Sequence, residues 1–256
     1  MHDDPVLFGI HDGNIAVITI NRPATRNALS SEVRAGLYAA WDRFNKDEML
    51  KVAILTAAGD KAFCAGGDLK EMNATAMGVP PRDLVPVPGD TIEVAKPTIA
   101  AVNGIAFAGG WLIAQACDLC IAATSATFAI TEVKVGRGAP WATPLIHMLP
   151  QRIMMEILLT GKPLGAQRAC ELGYVNQVVE REALLDTALD WARTIAANAP
   201  LSVLAAKQTV LLATEMGRSA ALAAAHPAWE RAYRSEDAQE GPKAFLEKRP
   251  PKWRGH

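Results

Sequence analysis

Two hydrophobic patterns alternate over the first 180 residues: short unbroken apolar runs, and stretches in which apolar residues recur every three or four positions. Ile15–Ile20 is an unbroken, largely β-branched run closed by Asn21-Arg22-Pro23, which predicts a strand and then a turn. Ser30 suits an N-cap with Glu32 in the first turn, and Val33, Leu37, Trp41 and Phe44 share one face of a helix ending near Asp47. Lys51–Thr56 predicts a second buried strand, with Ala57-Ala58-Gly59-Asp60 as its turn. Ala62–Lys70 reads as a small-residue turn opening into a short helix. Residues 78–89 carry Pro80, Pro81, Pro86 and Pro88 and predict an irregular loop. Beyond Lys96-Pro97 the pattern repeats as strand Thr98–Val102, glycine-rich turn Asn103–Gly110, helix Trp111–Cys117 and strand Leu119–Ala123, with a further strand and turn at 127–140.

Strands alternating with helices imply an α/β core. From Glu182 onward the strand signals stop, and Leu184–Ala197, Leu201–Glu215 and Ala220–Tyr233 all predict helices. The chain is accordingly divided into an α/β core, 1–198, and a helical C-terminal region, 199–256. The second is too short and too apolar to stand alone, so it is expected to pack on a neighbour.

Composition narrows the classes. Of 256 residues, 50% are hydrophobic and 21% charged, enough to bury a substantial core and too apolar for intrinsic disorder. The net charge of −1, from 26 Lys+Arg against 27 Asp+Glu, argues against nucleic acid or an anionic membrane as the main partner, since both are bound through clustered cations. The acidic start, Met1-His2-Asp3-Asp4-Pro5, lacks the basic region and apolar run of a secretory signal. No run of about 20 apolar residues is long enough to span a bilayer. A cytoplasmic protein with reduced thiols is the expectation. Cys117 and Cys120 form one CxxC without the second that a zinc site needs, and ACDLCIAA reads as a buried element rather than a redox or metal motif. No metal is expected.

Candidate chemistry centres on Ala65-Gly66-Gly67 and Ala108-Gly109-Gly110, two glycine turns each placed between a strand and a helix. The first N–H groups of a helix have no internal partner, glycine admits close approach, and the helix dipole favours negative charge. Two such N–H groups converging on one point would make an oxyanion hole; the plainer reading is tight strand–helix packing. Neither turn is a phosphate loop: GxxxxGK[ST] is absent, and Gly136-Arg137-Gly138 is not completed as GxGxxG. A GxSxG elbow is also absent, which leaves a serine hydrolase of that type unsupported.

These residues carry a resemblance. Phe63-Cys64-Ala65-Gly66-Gly67-Asp68-Leu69-Lys70-Glu71-Met72 resembles the first signature of the enoyl-CoA hydratase/isomerase (crotonase) superfamily. Lys96-Pro97 through Val102-Asn103-Gly104, with Ala108-Gly109-Gly110 and Ala116-Cys117-Asp118-Leu119, resembles the second. Asn21-Arg22-Pro23, Arg26-Asn27-Ala28-Leu29, Leu159-Thr160-Gly161, Glu171-Leu172-Gly173 and Phe245–Arg249 follow in family order. The resemblance implies a crotonase-like spiral of ββα units with a C-terminal helical trimerisation region, assembled as a homotrimer or as a dimer of trimers. It implies a CoA thioester as substrate, with no further cofactor, its carbonyl held by the N–H groups of Gly67 and Gly109. Arg26, Ala28, Ala65, Asp68, Leu69 and Lys70 would lie along the adenine and pantetheine portions, and Lys70 and Lys248 would be able to meet phosphates.

The resemblance also sets the acid–base residues, and here the chain departs from the pattern. Hydratases of the family carry two glutamates around a water. At the first position this chain has Leu112; the second matches Phe128-Ala129-Ile130-Thr131-Glu132, so Glu132 is retained without its partner. Unpaired in an apolar pocket, such a carboxylate has a raised pKa suited to proton transfer. Where a hydratase offers a glycine N–H near the water, Pro140 or Trp141 stands, and proline has no N–H. Leu112, Pro140 and Trp141 are thus acyl-pocket candidates, and Trp111 and Trp141 would narrow or dry the pocket or belong to the core. The expected reaction is hydration or isomerisation of a carbon–carbon double bond in an acyl-CoA. The alternatives are thioester hydrolysis, decarboxylation or retro-Claisen cleavage on the same scaffold, and a catalytically weak protein that only binds the CoA ligand.

Overall fold

The computed structural model describes residues 4–75 and 78–256. Met1–Asp3, part of the segment read above for a leader, lie outside them. The chain begins with a hairpin, β1 (Val6–His11) and β2 (Ile15–Ile20), closed by Asp12-Gly13 with φ of 52° and 74°. An Asp-Gly pair is suited to that left-handed turn. Helix α1 (Ser31–Lys46) follows, with the Ser30 side chain accepting the Val33 N–H as its N-cap.

Three ββα-type units come next. The first is β3 (Val52–Ala57), β4 (Ala62–Cys64) and α2 (Leu69–Ala74). The second is β5 (Thr98–Val102), β6 (Ile105–Phe107) and α3 (Gly109–Gln115). The third is β7 (Leu119–Ala123), β8 (Thr127–Ala129) and, after two 3-10 stretches, α4 (Gln151–Thr160). Then come β9 (Leu164–Gly165), α5 (Ala166–Glu171), β10 (Gln177–Val179), α6 (Leu184–Ala196), α7 (Pro200–Glu215), α8 (Arg218–Arg234) and α9 (Asp237–Leu246).

In each unit the first strand joins one sheet and the second strand joins another. The larger sheet runs β1-β2-β3-β5-β7-β10, parallel except for the β1–β2 hairpin; the smaller runs β4-β6-β8-β9, antiparallel only at β8–β9. The parallel pairing of β4 with β6, whose register shifts between Ala62 and Cys64, brings the turn after β4 beside the turn after β6.

The unbroken apolar runs reflect burial on both faces of the larger sheet. Ala16, Ile18 and Ile20 of β2 join the main core with Val33, Leu37, Trp41 and Phe44 of α1, while Ile15 and Val17 meet Leu184, Ala188 and Ala192 of α6 on the opposite face. Cys64, Cys117 and Cys120 are buried free thiols, and Cys170 on α5 is half-buried. The C-terminal helices reach back to the core through Lys207 of α7. Its Nζ meets Asp118 Oδ2 at 2.9 Å and donates to the Val94 and Lys96 carbonyls.

Candidate active site

The two glycine turns meet because a third segment is laced to the first. The Ala65 N–H donates to the Arg26 carbonyl (3.1 Å) and the Leu29 N–H to the Gly66 carbonyl (2.8 Å). Arg26 and Asn27 are both left-handed, with φ of 53° and 55°. Asn27 fixes that bend, its buried amide donating to the Ala58 and Ala62 carbonyls and accepting the Arg22 N–H. Arg26 is exposed, Ala28 is buried, and the pair therefore lines the edge of the first glycine turn.

The glycines divide by what they require. Gly110 is a packing glycine: a Cβ there would lie 2.0 Å from the Cys64 carbonyl oxygen. Gly66 has φ +101°, a conformation that side chains rarely adopt, and a Cβ there would reach the Gly109 nitrogen at 3.6 Å. A Cβ on Gly109 would lie 3.8 Å from the Gly67 nitrogen. Gly67 and Gly109 thus present neighbouring N–H groups, and neither donates to a backbone carbonyl among the described residues. Gly109 is the first residue of α3, where the dipole adds partial positive charge. Ala108, just before it, has φ +50° and ψ −120°, strained for a residue with a Cβ at a cost of about 1–3 kcal/mol. Its N–H donates to the Ala129 carbonyl (2.8 Å), so the β6–β8 ladder holds the strained turn in place.

Glu132 enters from the same ladder. It follows Ala129 by three residues, so its backbone lies within about 11 Å of a residue hydrogen-bonded to the neighbour of Gly109. It opens a 3-10 stretch, Glu132–Val135, that ends on left-handed Gly136. The Trp141 indole Nε1 donates to Glu132 Oε1 (2.9 Å), whereas Oε2 is buried without a partner. Burial raises the carboxyl pKa above the ordinary glutamate range; the Glu132 and Thr131 N–H groups and the Trp141 indole oppose the rise only in part. A half-buried, raised carboxyl with one idle oxygen is equipped to accept and return a proton.

The other expected residues fall into place less uniformly. Asp68 is spent as the N-cap of α2, accepting the Lys70 and Glu71 N–H groups, while Leu69 and Lys70 are exposed on the first turn of that helix. Leu112 is half-buried one turn into α3, and its N–H returns to the Ala108 carbonyl. Pro140 is exposed at the start of a second 3-10 stretch, Pro140–His147, and Trp141 beside it is half-buried. Trp111 is fully buried against Phe128 and Tyr174, with ring centroids 5.5 and 5.6 Å away, so it belongs to the core. The prolines of 86–88 are buried, with Thr91 Oγ1 accepting the Val87 N–H, and Tyr38 ties the loop to α1 through the Asp83 carbonyl. Sequence reasoning missed Gln115, whose Nε2 donates to the Trp141 carbonyl (2.6 Å), and it missed the bond from Trp141 to Glu132. Their separations of 26 and nine residues match no helical or strand period that would have paired them.

This arrangement has close counterparts among known proteins. The family model described as enoyl-CoA hydratase/isomerase matches residues 11–256. The chain belongs to the enoyl-CoA hydratase/isomerase family. Among curated relatives, the (E)-benzylidenesuccinyl-CoA hydratase of Thauera aromatica is 41% identical over 251 residues, covering 94% of this chain and 96% of that one. The carnitinyl-CoA dehydratase of Escherichia coli strain K12 is 38% identical, with 95% and 96% covered. Among solved structures, the enoyl-CoA hydratase EchA1 of Mycobacterium marinum superposes with a TM-score of 0.91 at 40% identity, over 99% of this chain and 100% of that one. The enoyl-CoA hydratase of Mycobacterium tuberculosis H37Rv gives 0.91 at 39% identity, with the same coverage. As an enzyme of this family the chain has the crotonase fold, and its glycine turns lie on the segments that carried the sequence resemblance.

Proposed function

We propose that this enzyme adds water across, or removes it from, the carbon–carbon double bond of an acyl-CoA thioester through an enolate. Gly67 and Gly109 N–H groups bind the thioester oxygen, and Glu132 transfers the proton. The observation that carries the reading is a pair of neighbouring N–H groups with no backbone acceptor, on turns tied to the β6–β8 ladder from which a half-buried carboxyl with one idle oxygen follows. Each donor aimed at the developing oxyanion is worth about 3–4 kcal/mol in the transition state. In the hydration direction Glu132 takes a proton from water as its oxygen adds to Cβ. The displaced electron pair moves to the thioester oxygen, and the carboxylic acid then returns the proton to Cα as the enolate collapses. The hydratase and dehydratase names of the relatives support this direction. Isomerisation is the second reading, favoured by Leu112: with no second carboxylate on α3, a single base can remove a proton at one carbon and deliver it at another.

The thioester needs no other cofactor in this scheme. The exposed Leu222, Phe245 and Leu246 support assembly as a trimer or a dimer of trimers that covers them. The test is Glu132→Gln, assayed with crotonyl-CoA and with substituted enoyl-CoA esters. We expect kcat to fall by about 10²–10⁴ with KM little changed, because general acid–base catalysis contributes that range. Wild-type turnover on every ester would leave Glu132 without a role and favour the binding-protein alternative.

A further inference from the structure

We propose that Trp141 is a positioning residue that fixes which oxygen of Glu132 does the chemistry, and that Gln115 holds it there from the helix carrying the Gly109 donor. The inference rests on the reading of Glu132 given above. Its basis is the inequivalence of the two carboxyl oxygens: Oε1 accepts the Trp141 indole N–H at 2.9 Å, while Oε2 is buried and unpartnered. A buried acceptor without a donor is costly, and folded proteins keep few of them. Here the arrangement leaves Oε2 free for the proton that is transferred.

The indole is itself held. Gln115 is 7% exposed, and its Nε2 donates to the Trp141 carbonyl at 2.6 Å. Gln115 closes α3, the helix that Gly109 opens. A continuous path therefore runs from the oxyanion donor along one rigid helix to Gln115, through Trp141, to Glu132. The acid–base group and the oxyanion donor are referenced to the same element, and a helix of this length does not flex between its ends as a loop does. The hydrogen bond also stabilises the ionised carboxylate, the form needed to accept a proton. A tryptophan that merely filled space would need neither its N–H on Oε1 nor a grip on its carbonyl.

Trp141→Phe keeps an aromatic ring and removes the donor. We expect kcat to fall by about 10- to 100-fold, the scale of a misplaced catalytic group, with KM for the acyl-CoA within about twofold. The acid limb of the kcat/KM profile should move to higher pH. A titration of carbon-13-labelled glutamate side chains by NMR should show the Glu132 carboxyl protonating at higher pH than in wild type. Gln115→Met, which releases the Trp141 carbonyl and leaves the indole in place, should shift both quantities in the same direction by less, and it serves if Trp141→Phe fails to fold. In the Glu132→Gln background, Trp141→Phe should cost little more. An unmoved Glu132 titration in both variants, or an undiminished loss in the Glu132→Gln background, would overturn the positioning role. Full turnover by Glu132→Gln alone would instead bring down the reaction assignment, so the two failures are told apart.

Discussion

At the C-terminal end of the chain the carboxylates are fully employed. Asp237 is buried, and its two oxygens accept the N–H groups of Arg254 and Gly255 at 2.7 and 2.9 Å. Glu240 meets Arg249 through both oxygens and also accepts the Lys252 N–H, which holds its carboxyl down at about 2. These bonds strap residues 249–255 onto α9, and Trp253 extends the strap to the Ala197 carbonyl. At the glycine turns the accounting is the reverse. Gly67 and Gly109 have N–H groups to spare, Glu132 has an idle buried oxygen, and burial pushes its carboxyl up. The same residue type is a structural clamp where its acceptors are filled and, on the reading proposed above, a chemical group where one is left open. Saturation serves stability, and incompleteness leaves room for a ligand.

The contrast can be broken from either side. The largest effect is expected for Gly109→Ala, whose methyl group would sit 3.8 Å from the Gly67 nitrogen and press on the Leu29 side chain. Alanine keeps its backbone N–H, but on the reading proposed above its methyl group would crowd the space between the two donors and push the thioester oxygen off them. Losing a donor outright costs about 10²–10³ in rate, so steady-state assays should show kcat/KM down by up to that range. Circular dichroism should show the fold retained, because the flexible end of Leu29 can move aside. Next comes Asp237→Ala, which leaves two N–H groups of the strap without acceptors. Thermal denaturation should show a loss of about 1–3 kcal/mol, with kcat per folded site unaltered. A fall in kcat as large as that of Gly109→Ala would erase the distinction between the two regions.

The smallest effect tests the sign of the titrations. Glu132 has a folded pKa above its unfolded one, so the folded state holds the proton more tightly. Its stabilising contribution is complete below the ordinary glutamate range and is lost as pH rises through the raised value. Glu132→Gln should therefore melt slightly higher than wild type at neutral pH, with the difference closing as the pH falls below that range. Melting curves collected across pH would check it. Glu240 runs the other way: its contribution is present above the ordinary range and is lost as pH falls toward about 2.

The readability of the fold followed the strength of local patterning. The runs Ile15–Ile20, Thr98–Val102 and Leu119–Ala123 are strands because parallel strands buried on both faces must be apolar throughout. Strand β1 went unread although Asp12-Gly13 marks a hairpin, since Val6–His11 is half-buried and only weakly patterned. Helix α3 begins two residues earlier than its apolar face suggests, because Gly109 and Gly110 bring no apolar side chain to that face and the Cys64 contact, rather than helix propensity, requires glycine at 110. The glycine turns and Glu132 stood out as candidates through their motifs. The environment of Glu132 was not: the side-chain pairing depends on where a 3-10 stretch delivers Trp141, and such segments carry no period to read.

The buried thiols offer a use unrelated to catalysis. Cys64 and Cys117 are pushed up to about 12 by burial, and Cys120 is raised for the same reason, so none of the three is a nucleophile while the protein is closed. Cys170 on α5, half-buried, is the accessible member of the set. A label placed there marks the native surface. Any later reaction at Cys64, in the strand that leads to the first glycine turn, or at Cys120, on β7 of the larger sheet, reports an opening event in its own layer. The four cysteines thus form an internal clock for local unfolding, able to time the two sheets separately without denaturant.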